Sequence, residues 1–471
     1  MKTLIRIAVC SVASVILLAV VYWQLQFTTI STEIDNIIIS SRLPEDVLSV
    51  SVENESGLFR FYFDAEEGGY VVDDIPAHLV DIGAFYRFLV NSARVFAISR
   101  ISADSAGLPD FGLSPPRASV EIEFFDSEIL RLNIGDVERV SGNFYATVEG
   151  FEDVLIFPQG IAEQFLNPGT QVISLLLTPP LALSSPLSAI RDVIIVGGSL
   201  ESPVTILSTT DADEDVELAA LSFGIATHIV LAEGVYQLDQ AYGIAMLGAL
   251  FEIRAARIVG YDLSNEELSH FGFDEPYMAV DFDMVNGADA PAVAVMLRFA
   301  HAADGFYYAT RLGSGAVYLV SRQEFFDIEF ERLILRWFLT PFLMDLTAIT
   351  VEMENEHHRF EIDSSDARSI QAFYNGEPLD MESFHTFFRL ITSAAHDGVY
   401  LGVLPLPQEA PLMTITYEYV DQRKENDVMA LFPGEARRAN VFINGIGEFA
   451  MNDLFIQHVA ERVGSLMGLL R

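Results

Sequence analysis

The chain reads as an α+β protein: an N-terminal transmembrane helix, then repeated units that each pack a helix on an antiparallel sheet. Three observations predict this. The run Phe111-Gly112-Leu113-Ser114-Pro115-Pro116 leads into a strand, and Phe271-Gly272-Phe273-Asp274-Glu275-Pro276 does the same roughly 160 residues further on. Short apolar-polar alternations are joined by tight turns, which suits antiparallel pairing, since parallel strands need long crossovers. One apolar run at the start is long enough for a membrane and carries no acid or base.

That run comes first. Lys2 and Arg6 precede Ile7 to Trp23, and no charged residue follows until Glu33. The apolar stretch approaches the ~20 residues that span a bilayer. Tyr22 and Trp23 stand where an aromatic belt anchors the outer end, and the two cations place the N-terminus in the cytoplasm. Tyr22-Trp23-Gln24-Leu25-Gln26 is a poor cleavage site, and Val9 before Cys10 does not suit a lipoprotein. Residues 1–25 are therefore expected to be an uncleaved anchor and 26–44 a stalk. Cys10 is the only cysteine, so no intrachain disulfide is possible.

The first unit is expected over residues 45–170. Val47-Leu48-Ser49-Val50-Ser51-Val52 alternates as a half-buried strand, Asn54-Glu55-Ser56-Gly57 turns, and Leu58-Phe59-Arg60-Phe61-Tyr62-Phe63 returns. Ile82, Phe85, Tyr86, Leu89 and Val90 fall on one helical stripe. In the corner that follows, Gly112 supplies positive φ, Pro116 fixes the entry to the next strand, and Phe111 plugs the turn into the core. Phe271, Gly272 and Pro276 are expected to do the same in a second unit over 190–332, which opens with Val193-Ile194-Ile195-Val196 and has its helix near 238–258. Tyr145-Ala146-Thr147 recurs there as Tyr308-Ala309-Thr310, and Leu177-Thr178-Pro179 as Leu339-Thr340-Pro341.

A buried connecting helix is expected over 333–344, cut short of a second span by Glu331, Arg332 and Arg336. A diverged third unit follows over 345–471. There Thr350-Val351-Glu352 echoes Ser51-Val52-Glu53, and Arg359-Phe360 echoes Arg60-Phe61, but the Phe-Gly corner is missing.

Charge excludes one class of partner. With 67 acidic against 27 basic residues the net charge is −40, which repels nucleic acid. Catalytic templates return nothing: no Gly-x-Ser-x-Gly elbow, no phosphate-cradling Gly-x-x-x-x-Gly-Lys, no His-Glu-x-x-His. No catalytic residue, cofactor site or metal site is assigned. Asp211-Ala212-Asp213-Glu214-Asp215 has the spacing of a calcium loop, but Val216 and Ser222 stand where Gly and Glu are required, so it is expected to be an exposed acidic turn. His357-His358 is expected to be a surface pair in a hairpin turn, since strand neighbours point to opposite faces.

The single anchor, the strand pair with its aromatic return, the helix, Phe111 to Pro116, Gly135-Asp136, Tyr145 to Thr147 and their second set (Phe271 to Pro276, Tyr308 to Thr310) resemble a bacterial family called domain of unknown function 4340. The resemblance spans about 45–330 in two copies; the second copy departs from the pattern by lacking Gly-Asp. It implies an accessory protein of ABC-transporter complexes of the gliding-motility type, and it supplies no catalytic residue. The expected function is a non-enzymatic scaffold at the cell membrane, single-pass, with its bulk extracytoplasmic. The expected partners are membrane proteins, ABC-transporter permease subunits among them. Two alternatives stay open: a binding module for a sugar, peptide or wall component, and a hydrolase using paired carboxylates.

Overall fold

The computed structural model describes residues 36–468 apart from 67, 103, 104, 211, 212, 286–290, 354, 355 and 367. The expected anchor, with Cys10, and the first part of the stalk lie outside the described residues. No described helix is long and apolar enough to cross a membrane.

Mixed sheet and helix, mostly sheet, is what these residues form, in four antiparallel sheets. The smallest pairs Ile37–Ile38 with Phe96–Ala97. The chain divides into two compact units, one ending at Ser174 and the other beginning at Leu175. The first unit holds an eight-stranded sheet, and the second holds two sheets of nine strands.

The three large sheets share one strand order. In the first, Val47–Asn54 and Gly57–Asp64 form the opening hairpin, and Gly69–Val72 completes that side. Ala118–Phe124 pairs on the other flank of Val47–Asn54, and Ile129–Val137, Phe144–Val148 and Val154–Phe157 follow as a meander. Ser99–Ile101 closes the far edge. The second sheet repeats this from Ile190–Gly197, with its meander from Met278–Met284 and Arg257–Gly260 at the edge. The third repeats it from Leu346–Met353, with its meander from Met413–Tyr419 and Gly398–Leu404 at the edge. Arg100-Ile101 and Arg257-Ile258, alike in sequence, both fall on edge strands.

Each sheet buries one face against a helix placed at the same stage. These helices are Ile82–Ala93, Gln240–Gly248 and Met381–Thr392. Each starts on an aspartate whose side chain accepts a backbone N–H at 2.9 Å: Asp81 from Ala84, Asp239 from Tyr242, Asp380 from Ser383. Such caps satisfy an otherwise orphaned donor and stabilise a helix by about 1 kcal/mol. Under the first helix Phe61 packs on Phe88 at 4.3 Å, and under the third Phe360 packs on Phe387 at 5.0 Å. In the second sheet Phe299 packs on Phe326 at 5.0 Å.

Three expectations need correcting. The stripe on the first helix is rotated: Phe85, Phe88 and Leu89 are buried, while Ile82 and Tyr86 are 81% and 52% exposed. The helix expected near 238–258 ends at Gly248, because the chain must turn into the edge strand at Arg257. The connecting helix over 333–344 does not form. A four-residue helix, Phe330–Leu333, ends there, and the chain runs extended, with Ile334 bridged to Leu238 and Trp337 to Ala395. Pro341 forbids helix continuation, and the bridges offer the backbone strand-like partners instead.

Candidate functional site

The repeated corners are structural contacts with a shared geometry. Gly112 and Gly272 both adopt positive φ, 66° and 86°. Phe111 and Phe271, expected in the core, are only half-buried. Their rings pack edge-on against Tyr145 at 4.8 Å and Tyr308 at 5.1 Å, so the two recurring motifs meet. Leu113 is the buried side chain of the first corner. Pro116 and Pro276, both half-buried, precede the strands Ala118–Phe124 and Met278–Met284. A Cβ on Gly135 would stand 2.3 Å from the Phe111 carbonyl oxygen, which explains the Gly-Asp signature. By register, Asn133 faces Thr147 and Arg298 faces Thr310, so Ala300 occupies the Gly135 position in the second copy. The same register puts Asn440 where Tyr145 and Tyr308 stand, which is why the third copy has no corner aromatic to match.

The faces of the sheets turned away from the helices differ in chemistry, although their frames match. One row of the first sheet runs Arg60, Ser51, Glu121, Arg131. Arg131 bridges Glu121 at 2.7 Å and Glu149 at 3.2 Å, and each carboxylate holds its pKa up. The equivalent row of the third sheet runs Arg359, Thr350, Thr416, Val428, and Arg359 pairs with Glu418 at 2.7 Å. In the second sheet that row is Thr205, Ile194, Asp281, Met296, and Leu312 follows as Glu149 does in the first. Ile194, Met296 and Leu312 are 43%, 43% and 44% exposed, with Val196 beside them at 42%. Asp281 interrupts this apolar patch between Ile194 and Met296, and Asp192 borders it. Asp281 is held by Arg298, and Asp192 has its pKa raised by burial and by the charge of Asp283.

The remaining sequence candidates do not form a reactive group. Asp211 lies outside the described residues, and Asp213 caps the helix Glu214–Ala220 by accepting the Val216 N–H. That acid run opens a helix rather than an open turn. His357 and His358 point to opposite faces, as expected, but only His357 is on the surface, paired with Glu352. His358 is 6% exposed; its Nε2 pairs with Glu356 at 3.0 Å and its Nδ1 lies 3.3 Å from the Tyr374 hydroxyl. Among the described residues no three His, Cys, Asp or Glu side chains are grouped to hold a metal.

Fold and surfaces define a mostly-sheet α+β protein in which one sheet frame is used three times with three surface chemistries. A protein-family model described as Domain of unknown function (DUF4340) matches residues 231–399. The resemblance drawn from the short motifs is thus to a family whose model this chain matches. The matched window differs from the expected one. It runs from the end of the strand His228–Leu231 through the second meander and the helix Met381–Thr392 to the start of the edge strand Gly398–Leu404 of the third sheet. Comparison with curated proteins gave no match.

Proposed function

We propose that this protein is a non-catalytic, membrane-anchored extracytoplasmic subunit that works by contact, seating a membrane protein partner on the open face of its second sheet. The observation that carries this reading is the exposed apolar group Ile194, Val196, Met296 and Leu312, with Asp281 set between Ile194 and Met296 in the row. In the two equivalent frames the same positions hold charged or polar groups over most of the row, so the apolar patch is a choice of sequence and not a demand of the fold. Exposed apolar patches rimmed by polar groups mark protein contacts. Asp281 within the patch and Asp192 and Asp283 at its border favour a partner that brings basic residues to an apolar patch, and a net charge of −40 disfavours anionic lipid. The family resemblance points to a transporter permease subunit as that partner.

The test places a photo-crosslinking residue at Met296 in full-length protein in its native membrane. The expected result is a crosslink to an integral membrane subunit, lost in an Ile194→Asp/Leu312→Asp variant that keeps its thermal midpoint. Recovery as a lone species together with a carboxylate-dependent hydrolytic activity would overturn this reading.

A further inference from the structure

One backbone position recurs in all three frames and is filled in two of them. It is the residue before each capping aspartate. In the first frame Asp81 donates its N–H to the Val172 carbonyl at 2.7 Å, Ser174 donates to the Leu79 carbonyl at 2.8 Å, and Val80 is bridged to Ile173. In the second, Asp239 donates to Leu333 at 2.9 Å, Leu335 donates to Gln237 at 2.6 Å, and Leu238 is bridged to Ile334. Each time an extended segment, Val172-Ile173-Ser174 or Leu333-Ile334-Leu335, lies along the edge with its first two side chains buried.

The third frame has the same groups and no such segment. Leu379 is bound inward, donating to the Ala372 carbonyl at 2.8 Å, which turns the Pro378 carbonyl and the Asp380 N–H away from the sheet. Among the described residues neither has a backbone partner. Exposure agrees. Leu79 and Gln237 are 4% and 9% exposed and Asp81 and Asp239 are half-buried, whereas Pro378 and Asp380 are both exposed. The strand Glu377–Pro378 is the outermost of its sheet, and such open edges are where a foreign strand adds.

The charge beside this edge is its own. Counted from the capping aspartate, Glu377 stands where the other frames have His78 and Tyr236, and Glu382 where they have Gly83 and Ala241. With Asp380 they make three exposed carboxylates. We infer that the open edge takes an extended, basic segment of a partner protein: two successive aliphatic residues, as in the two resident segments, flanked by lysine or arginine. The carboxylates are matched to the flanking cations. A second copy of this chain is a poorer occupant, because each copy carries a net charge of −40. The edge is separate from the patch on the second sheet, and neither needs the other.

Fluorescence anisotropy of a labelled peptide, Lys-Arg-Leu-Ile-Leu-Arg, with full-length protein in detergent tests this; its last five residues repeat positions 332–336. Saturable binding is expected. An N-methyl group on the peptide's second leucine removes the donor that Leu335 uses, and should weaken binding roughly tenfold or more. Asp380→Pro, compatible with the φ of −66° at that position, deletes the protein's donor and should do the same. Asp380→Ser keeps both donor and cap and should stay within about twofold. Should Asp380→Pro fail to fold, the N-methyl peptide reads the same question. Ile194→Asp/Leu312→Asp should leave the affinity within about twofold, which separates this edge from the second-sheet patch. No saturable binding, equal binding of the parent and N-methyl peptides, or loss of binding in Ile194→Asp/Leu312→Asp would overturn the inference. So would a gain of about tenfold on ending the chain at Gly468, since the edge would then belong to residues 469–471.

Discussion

The Ser222 hydroxyl donates a 2.6 Å hydrogen bond to the Asp427 carboxylate, tying the segment beside the second sheet to a strand of the third. Asp427 is 1% exposed, and a buried carboxylate is tolerated only when its lone pairs are used. They are used here. Tyr419 donates at 2.6 Å, the Lys424 ammonium at 2.8 Å and the Asn444 amide at 3.0 Å. Burial and the Asp427 charge push the Tyr419 phenol well above its ordinary pKa, so it remains a donor across the accessible pH range.

Removing the acceptor should therefore cost more than any one of these bonds is worth. Asp427→Ala takes the counter-charge from the nearly buried Lys424 ammonium and the acceptor from two hydroxyls and the Asn444 amide, and about 3–5 kcal/mol of unfolding free energy is expected to be lost. Ser222→Ala, which deletes one donor of four, should cost about 1 kcal/mol. Denaturant unfolding of the two variants checks both, and a loss below about 1 kcal/mol for Asp427→Ala would show that the network is idle.

The corner makes a second prediction, with glycine and not phenylalanine as the sensitive residue. A fully buried Phe111 would lose about 3–5 kcal/mol on truncation to alanine; half-buried against Tyr145, it should lose about 1–2 kcal/mol. Gly112→Ala places a Cβ at φ 66° and 2.5 Å from the Asp136 carboxyl carbon. The backbone strain alone is about 1–2 kcal/mol. Thermal melts of Gly112→Ala with and without Asp136→Ala separate the two parts, since only the contact is relieved by the second change. No relief would mean that Asp136 moves aside without cost.

How far the sequence could be read depended on what each signal measures. The repeated Phe-Gly corners and the hairpin of Val47 to Phe63 were legible because turn chemistry and alternation act locally. The aspartate caps at 81, 239 and 380 were legible in principle, each standing directly before a helical run, but a single aspartate is too common to single out. The apolar face of the second sheet was not legible. Val193-Ile194-Ile195-Val196 is apolar on both faces, which periodicity cannot distinguish from a doubly buried strand. Only pairing Ile194 with Asp281 and Met296 shows that one face lies open.

Buried titratable groups in the third sheet set opposite pH limits. His396 is stacked on Phe449 at 5.0 Å with its Nε2 unpartnered; burial lowers its pKa, Arg336 adds to this and Asp397 opposes it. A lowered pKa means that His396 contributes stability above its ordinary value of 6.5, and that stability is lost as pH falls through the lower folded value. Glu448, bonded by the Tyr236 hydroxyl, is shifted upward by burial and by Glu233. Its contribution is present below the ordinary 4.5 and is lost as pH rises through the higher folded value. His396→Phe should thus flatten the acid side of a stability profile, and Glu448→Gln should raise stability on the neutral side. Melting temperatures between pH 4 and 8 (about the range in which both groups change charge) read both slopes. A Glu448→Gln protein less stable at neutral pH would reverse the assignment.

Compartment is the last expectation open to direct measurement. Lys2 and Arg6 stand before an apolar run that has no charge until Glu33, and the described helices beyond it offer no second span. If that run spans the membrane, the cations at its start are expected to hold the N-terminus in the cytoplasm and everything after it outside. Protease added to spheroplasts should then cut exposed loops such as the turn at Gly142 or the segment around Leu406, and leave a membrane-held stub that begins at Met1. Exchanging Lys2 and Arg6 for glutamate while adding lysines after Gln26 should reverse the orientation and protect the chain, because the bias of cations across the span sets topology. Full protection of the unaltered chain in spheroplasts, with cleavage only after lysis, would place both compact units in the cytoplasm and withdraw the extracytoplasmic partner along with them.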